Sequence, residues 1–461
     1  MLHVFLSALS LKGTRRHAFA ALVCGLALLW RPVGGAEALT LTKIVDSFDP
    51  VPDMPPGATF IVLPWAAPAL AGTTLVFAAQ DSGHAEALWS AKTDGSGFKR
   101  LVDTSSTIPG VGTLFGEVSP FRLSGKKAAF RGTDFAGHSG YYSLSANGGP
   151  LKKLADQDTP LPDAVGTFGL LIGHVGGSRD GFDFASHLVF HDVHSGGGGV
   201  YRLPPAGGAA SIVGNGGVFI CEAGYGFGGI GAYGLPSISG GKVALLVSNV
   251  FGQAAIYTAP RTGITGETDA CASPSLKANN VTRIASVNDA VPGDPGARNF
   301  DHYGFGRPVI DKQTVVFLGT ACTGFTCDNQ GIYSKIGAGG LNKLVNTYTT
   351  VPGGNGTFQN SQVNFSLAQY ALGGKYVVFR GADADSRDGL YFVSTSGGPI
   401  TKILAVGDIL PDGRTIVGNG LRFHQAPVQI DSLNGKRVGF RVDFSDPVNG
   451  GGTGIYVATL P

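Results

Sequence analysis

One short pattern of strands recurs along the whole chain, and no other feature narrows the possible folds as much. The stretch GGLNKLVNTYTTVPGGNGTF, Gly339 to Phe358, nearly repeats GGPLKKLADQDTPLPDAVGTF, Gly148 to Phe168. Three signals make up the larger repeat. An apolar–aromatic dipeptide occurs at Leu88–Trp89, Tyr141–Tyr142, Val200–Tyr201, Ile256–Tyr257, Ile332–Tyr333, Leu390–Tyr391 and Ile455–Tyr456. A polar residue followed by two apolar ones begins at Lys43, Arg100, Lys153, Ser211, Arg283, Lys343 and Lys402. An apolar run precedes each dipeptide and ends at Phe77, Phe130, Phe190, Leu246, Phe317, Phe379 and Phe440, with spacings of 53 to 71 residues. Self-similarity at such a period marks a repeat architecture.

Each unit reads as four short strands. A strand opening near Pro68, Pro120, Pro236, Pro308 or Pro427 leads through a Gly-containing turn into the VVF-type run, then GIY, then KLV. Proline is tolerated at the first residue of a strand. Runs of β-branched and aromatic residues between turn residues are strand signals, and no sustained helical period appears. Glycine, 73 of 461 residues, supplies the turns. Four antiparallel strands per unit, repeated, predict an all-β, seven-bladed β-propeller of four-stranded blades over residues 39–461. The first KLV-type strand precedes the first VVF, and the chain ends at GIYVATLP. The N-terminal strand at Lys43 is therefore expected to complete the last blade and close the ring. A solenoid would need capping sequences at its ends, and none is visible.

The order Pro-opening strand, GK, VAF, GIY, GG, KLV resembles the TolB-type, WD40-like propeller repeat. The tails STIPGVGTLF, NDAVPGDPG and TTVPGGNGTF resemble tandem NxxGxxxxAF repeats of exported bacterial proteins. The resemblance covers nearly all of the chain after residue 38. The unit around Ala209 to Pro260 lacks the PGG tail, and the unit before His187 carries extra residues. The resemblance implies a fold and export; it implies no defined activity and no catalytic residues.

Residues 1–38 carry the pattern of a cleaved signal peptide: Arg15, Arg16 and His17, then an apolar run from Ala18 to Trp30, then Ala36–Glu37–Ala38. Thirteen apolar residues are short for a span, which takes about 20. The expected location is secreted or periplasmic, with no membrane span in the mature chain, and a monomer is the default. A net charge of +2 gives no general reason to expect nucleic acid. After residue 38 four cysteines remain. CTGFTC favours a Cys322–Cys327 disulfide, whereas Cys221 and Cys271 pair only if an insertion wraps a blade edge.

In a propeller the loops between strands two and three, and from strand four to the next blade, share one face. The latter run to about 20 residues, well above the usual 4–6, and long loops on a rigid scaffold suit binding. Aromatics fall there: Phe115, Tyr225, Phe227, Tyr303, Phe305 and Phe423. They either plug the ring and cover the blades or form a stacking platform for a glycan or another flat ligand. On the second reading Tyr225, Phe227, Tyr303, Phe305 and Phe423 bind ligand. Asp383, Asp385 and Asp388 alternate before a turn, a spacing that Ca2+ would accept and that turns also use. His191 and His194 lack an evident third zinc ligand. GxGxxG at Gly226, Gly228 and Gly231 lacks the strand–helix setting of a dinucleotide site. Enzyme signatures are missing. Asp134, Asp192 and Asp301 are loop-face carboxylates, but nothing pairs them for hydrolysis. The expected role is non-enzymatic binding of a glycan or protein through the long-loop face. The alternatives are a carbohydrate-active enzyme on that face or a structural surface protein.

Overall fold

The computed structural model describes the chain from Ala38 to Pro461. Residues outside that description are 1–37, 64–66, 82, 84, 119–120, 161, 163–166, 169–174, 179–180, 188–197, 204–210, 216–219, 223–224, 228–235, 249–253, 264–279, 302–303, 325, 360–366, 368 and 419–427. The expected signal peptide, His191, His194, Asp192, Phe190, Cys271, Tyr303 and Phe423 lie there. Thr40–Thr459 forms one compact unit. No described helix is long and apolar enough to cross a membrane.

The unit is all-β, with its antiparallel sheets arranged as propeller blades. In each blade the run before VVF is the inner strand, VVF the second, GIY the third and KLV the outermost, as in Tyr370–Gly373, Tyr376–Ala382, Asp388–Ser394 and Thr401–Ala405. The expectation of a seven-bladed ring is corrected, while that of four-stranded blades is borne out. Six blades are described through both strands and packing. The strands Val175–Ser178, Gly181–His187, Gly198–Leu203 and Ser211–Asn215 are described by backbone pairing, with the side chains of Tyr201 and Arg202 alone. Three of the six carry a fifth strand, contributed by the long loops at Ile61–Val62, Phe115–Glu117 and Thr415–Ile416. These segments pair with the far end of the second strand, Ile61 opposite Gln80 and Thr415 opposite Ser445.

The closing role expected of the N-terminal strand is corrected as well. Thr40–Asp46 pairs antiparallel with Gly450–Thr459, Thr40 opposite Thr459, as the outermost strand of its sheet. Where the first and last blades meet, however, the inner strands Ala69–Ala71 and Val428–Asn434 face each other. Contact around the ring runs through the inner strands.

Two repeat signals have a packing cause. In each KLV strand the pairing register slips by one residue, so that Leu88 faces Val102 while Trp89 faces Arg100, and Leu390 faces Leu404 while Tyr391 faces Lys402. Strict alternation would point one of two consecutive apolar residues to solvent. A bulge lets both turn inward, and Leu344–Val345 and Ile403–Leu404 are buried as pairs. The glycine of GIY makes room for the tyrosine two residues later on the same strand face. A Cβ at Gly331 or Gly389 would lie 2.8 Å from the hydroxyl of Tyr333 or Tyr391.

The aligned second-strand residue sits directly opposite that aromatic: Phe77 with Trp89, Phe130 with Tyr142, Phe317 with Tyr333 and Phe379 with Tyr391. Two sequence anchors shift under this criterion. Tyr201 pairs with Phe184 and Tyr257 with Leu245, so GFDFASH, not HLVF, is the second strand of its unit. Both runs have strand character, and only the pairing distinguishes them.

Candidate functional site

The long loops are built structures. Each of the six whose start is described begins with a tight turn in which a backbone N–H donates to the side chain three residues on. Asp46 donates to Asp49 at 2.9 Å, Asp103 to Ser106 at 3.1 Å, Ser286 to Asp289 at 2.8 Å, Asn346 to Thr349 at 3.1 Å and Ala405 to Asp408 at 2.8 Å. Short polar side chains do this readily. An isolated bridge then zips the loop, as between Thr350 and Thr357. In four of these loops a phenylalanine then drops into the next blade, onto the aromatic pair described above. Phe60 meets Phe77 and Trp89, Phe115 meets Phe130 and Tyr142, Phe300 meets Phe317 and Tyr333, and Phe358 meets Phe379 and Tyr391. Centroids lie 5.1–6.1 Å apart with edge contacts, the arrangement ring quadrupoles favour. Glycine again makes room: a Cβ at Gly381 would stand 2.5 Å from the Phe358 ring.

Three of the loops are also tied by side chains to the hairpin between strands two and three of the following blade. Thr113 donates to Asp134 at 3.1 Å, and the Asn355 side chain donates to Asp385 at 3.0 Å. Arg298 reaches Asp328 at 2.5 Å and Thr323 at 2.9 Å while bonding Asp294 at 2.7 Å. The Arg298 guanidinium holds Asp294 far below the usual carboxylate range, against the opposing effect of burial. In those blades loop and hairpin form one bonded surface.

On that surface the aromatics divide. Phe115 is fully buried, and Phe305, 9% exposed, packs on Phe300 and Phe317 rather than standing open for a ligand. Tyr225 and Phe227 lie on an extra hairpin, Ile220–Glu222 with Tyr225–Phe227, whose side chains are outside the description. Cys221 shares it. The residues left exposed were not singled out by sequence reasoning. Eight large apolar side chains are exposed among the described residues. Seven of them, Ile61, Val111, Leu114, Phe135, Tyr348, Ile409 and Val448, sit on the long loops or the hairpins between strands two and three. Phe135 and Val448 are 83% and 86% exposed. The signal was an apolar residue at a hairpin tip, as in DFAGH and DPVNG.

The carboxylates serve the loops. Asp383 is buried. Its Oδ1 accepts from the N–H groups of Asp385 and Arg387, and its Oδ2 accepts from the Asn355 N–H and the Arg387 guanidinium. Burial opposes its charge, but these donors leave it below the usual range. Asp388 instead faces inward to Arg380 at 2.6 Å, and burial pushes it up to about 6. Asp383, Asp385 and Asp388 are not among the groups whose ligand atoms converge. Among the described residues those are His138–Asp156–Asp158 and Asp301–Cys322–Cys327. In the first, Lys153 already lies 2.8 Å from Asp156. In the second, the two sulfurs are bonded to each other across a hairpin tip and are not thiolates. Asp134 accepts from Ala136 and His138 N–H groups in the same loop role as Asp383.

Glu86 is different. It is buried at the start of a third strand, and its Oε1 has no hydrogen-bond partner among the described residues. Burial and then the neighbouring Glu117 carboxylate push it up to about 7. The unfolded chain releases this proton near pH 4.5, while the folded chain holds it until about 7. Stability is therefore lost as pH rises through that window. Glu86→Gln is expected to match the parent near pH 4 and exceed it at pH 8 by about 1–2 kcal/mol after screening. Urea unfolding at the two pH values measures the difference.

No family model matches the chain, and no curated protein does. Solved structures do resemble it. A prolyl endopeptidase aligns with a TM-score of 0.43 at 10% identity, covering 91% of this chain and 50% of that one. TolB from Acinetobacter baumannii aligns at 0.38 and 14% identity, covering 70% of this chain and 62% of that one. The β-propeller domain of the Trilobed protease from Pyrococcus furiosus aligns at 0.35 and 10% identity, covering 76% of this chain and 99% of that one. The chain thus spans about half the length of the first of these proteins.

Proposed function

We propose that the protein is an exported, monomeric binding module that engages a glycan or protein partner through its long-loop face, without catalysis. The observation that carries this reading is the placement of exposed apolar side chains, seven of eight on that face. Exposed apolar groups gathered on one surface mark interaction sites, whereas scattered ones do not. The rigidity of the loops supports it, since a preorganised surface loses less entropy on binding. The N-terminal basic, apolar and small-residue pattern supports export. Val111, Leu114 and Phe135 belong to one loop-and-hairpin pair, with the Phe135 ring lying over Gly116.

The test is a glycan and protein-partner screen with product analysis of every hit. Leu114→Ser with Phe135→Ser is expected to lower affinity at least tenfold while stability stays within about 0.5 kcal/mol, as for exposed sites. Unchanged binding in that variant would remove this surface from the reading. Product formation would replace it with hydrolysis.

A further inference from the structure

The opposite end of the ring carries a second feature, independent of the loop-face reading. The turns joining inner to second strands meet around a cavity of about 550 Å³, within the size range of small-molecule sites. Neighbouring turns are bonded to one another. Ser239 Oγ accepts the Lys312 N–H at 2.9 Å, and Asp311 Oδ2 accepts the Gly374 N–H at 2.8 Å. The mouth is therefore preorganised.

Among the described residues, its lining joins an apolar wall, including Leu70, Ile238, Leu372 and Leu433, to four charged residues, Arg122, Arg307, Lys312 and Asp311. Three are cationic. The one carboxylate already accepts from Gly374 and, at 3.4 Å, from the Ser239 hydroxyl. Lys312 adds a separate observation. The first turn residue has a positive φ in all six described turns, and in five it is glycine: Gly72, Gly125, Gly240, Gly374 and Gly435. The sixth is Lys312, at φ 55°. A side chain in this conformation is strained relative to glycine, and such outliers persist at functional sites.

We propose that this cavity binds a small organic carboxylate, its anionic end held by Arg307, Arg122 and Lys312 and its apolar body against the leucine and isoleucine wall. Guanidinium groups suit a planar carboxylate because they offer paired donors.

The test uses the full chain with benzoate as probe and benzyl alcohol as its neutral counterpart, at matched ionic strength, read by calorimetry and thermal unfolding. Benzoate is expected to bind saturably, one per chain, and benzyl alcohol not to. R307Q should weaken benzoate at least tenfold. K312G should raise the melting temperature of the unliganded protein, because the positive φ then suits its residue, and still weaken benzoate. A purely structural Lys312 would not give that opposite pair. Equal responses to benzoate and benzyl alcohol, or unchanged benzoate affinity in both variants, would overturn the proposal.

Discussion

Phe358→Ala is expected to lower the unfolding free energy by about 3–5 kcal/mol, the range for removing a buried aromatic from a close-packed core. Phe358 is 1% exposed and touches both Phe379 and Tyr391 edge-on. It is also the anchor of its loop, whose N–H groups at Phe358 and Val351 bond Thr349 and Gly356. The loss therefore combines a cavity with an unpinned loop. Gly381→Val attacks the same contact from the other side, since even a Cβ there collides with the Phe358 ring. The two changes share one contact, so the double variant should fall well short of the sum of the singles. Denaturant midpoints for the four proteins give the answer; additivity would show that the loop ring is not seated on the blade glycine.

A second large effect is expected at Arg414. Its guanidinium bonds Asp46 at 2.6 Å and Tyr456 at 3.1 Å, pairs closely with Asp412, and lies 3.8 Å over the Phe444 ring. It joins a long loop to the end of the N-terminal strand and to the final hairpin. Arg414→Met keeps the apolar stem but leaves Asp46, 1% exposed, without its buried partner. Breaking such a pair from one side costs about 3–5 kcal/mol. Its pH dependence follows from the same contacts. Burial would raise Asp46, but Lys43, the Phe48 N–H and Arg414 outweigh it and leave the carboxyl below 3.8. Asp412 is lowered likewise, against burial, by Arg414 and Tyr456. A depressed carboxylate stabilises the fold above its unfolded pKa, and that contribution disappears as pH falls through the folded value. The gap between parent and Arg414→Met should therefore be full at pH 6 and shrink below about pH 4. A gap that stays constant down to pH 3 would assign the loss to packing on Phe444.

Much of the blade was legible because its signals are local. An apolar run opposite GIY, then a KLV strand, reports strand pairing through side-chain alternation. The tail phenylalanines, Phe168 and Phe358 among them, were visible as a recurring GTF, but their destination was not. A loop ring that plugs the following blade looks in sequence like one exposed for binding, which is why Phe115 and Phe305 resembled a platform. The carboxylates misled for a related reason. Asp383 and Asp388 are five residues apart, yet one caps a loop and the other turns inward to Arg380.

By itself, the sequence determined that the protein is all-β, that each unit runs from an inner to an outer strand, and which residues make the turns. These follow from alternation and from glycine at positions of positive φ, which depend on neighbours along the chain. Only the tertiary structure decided the strand count of each blade, the pairing of Phe184 rather than Phe190, the burial of the loop aromatics, and the meeting of Arg122, Arg307 and Lys312 around one cavity. Those depend on packing between segments tens to hundreds of residues apart, and no local pattern records which partner a side chain will meet.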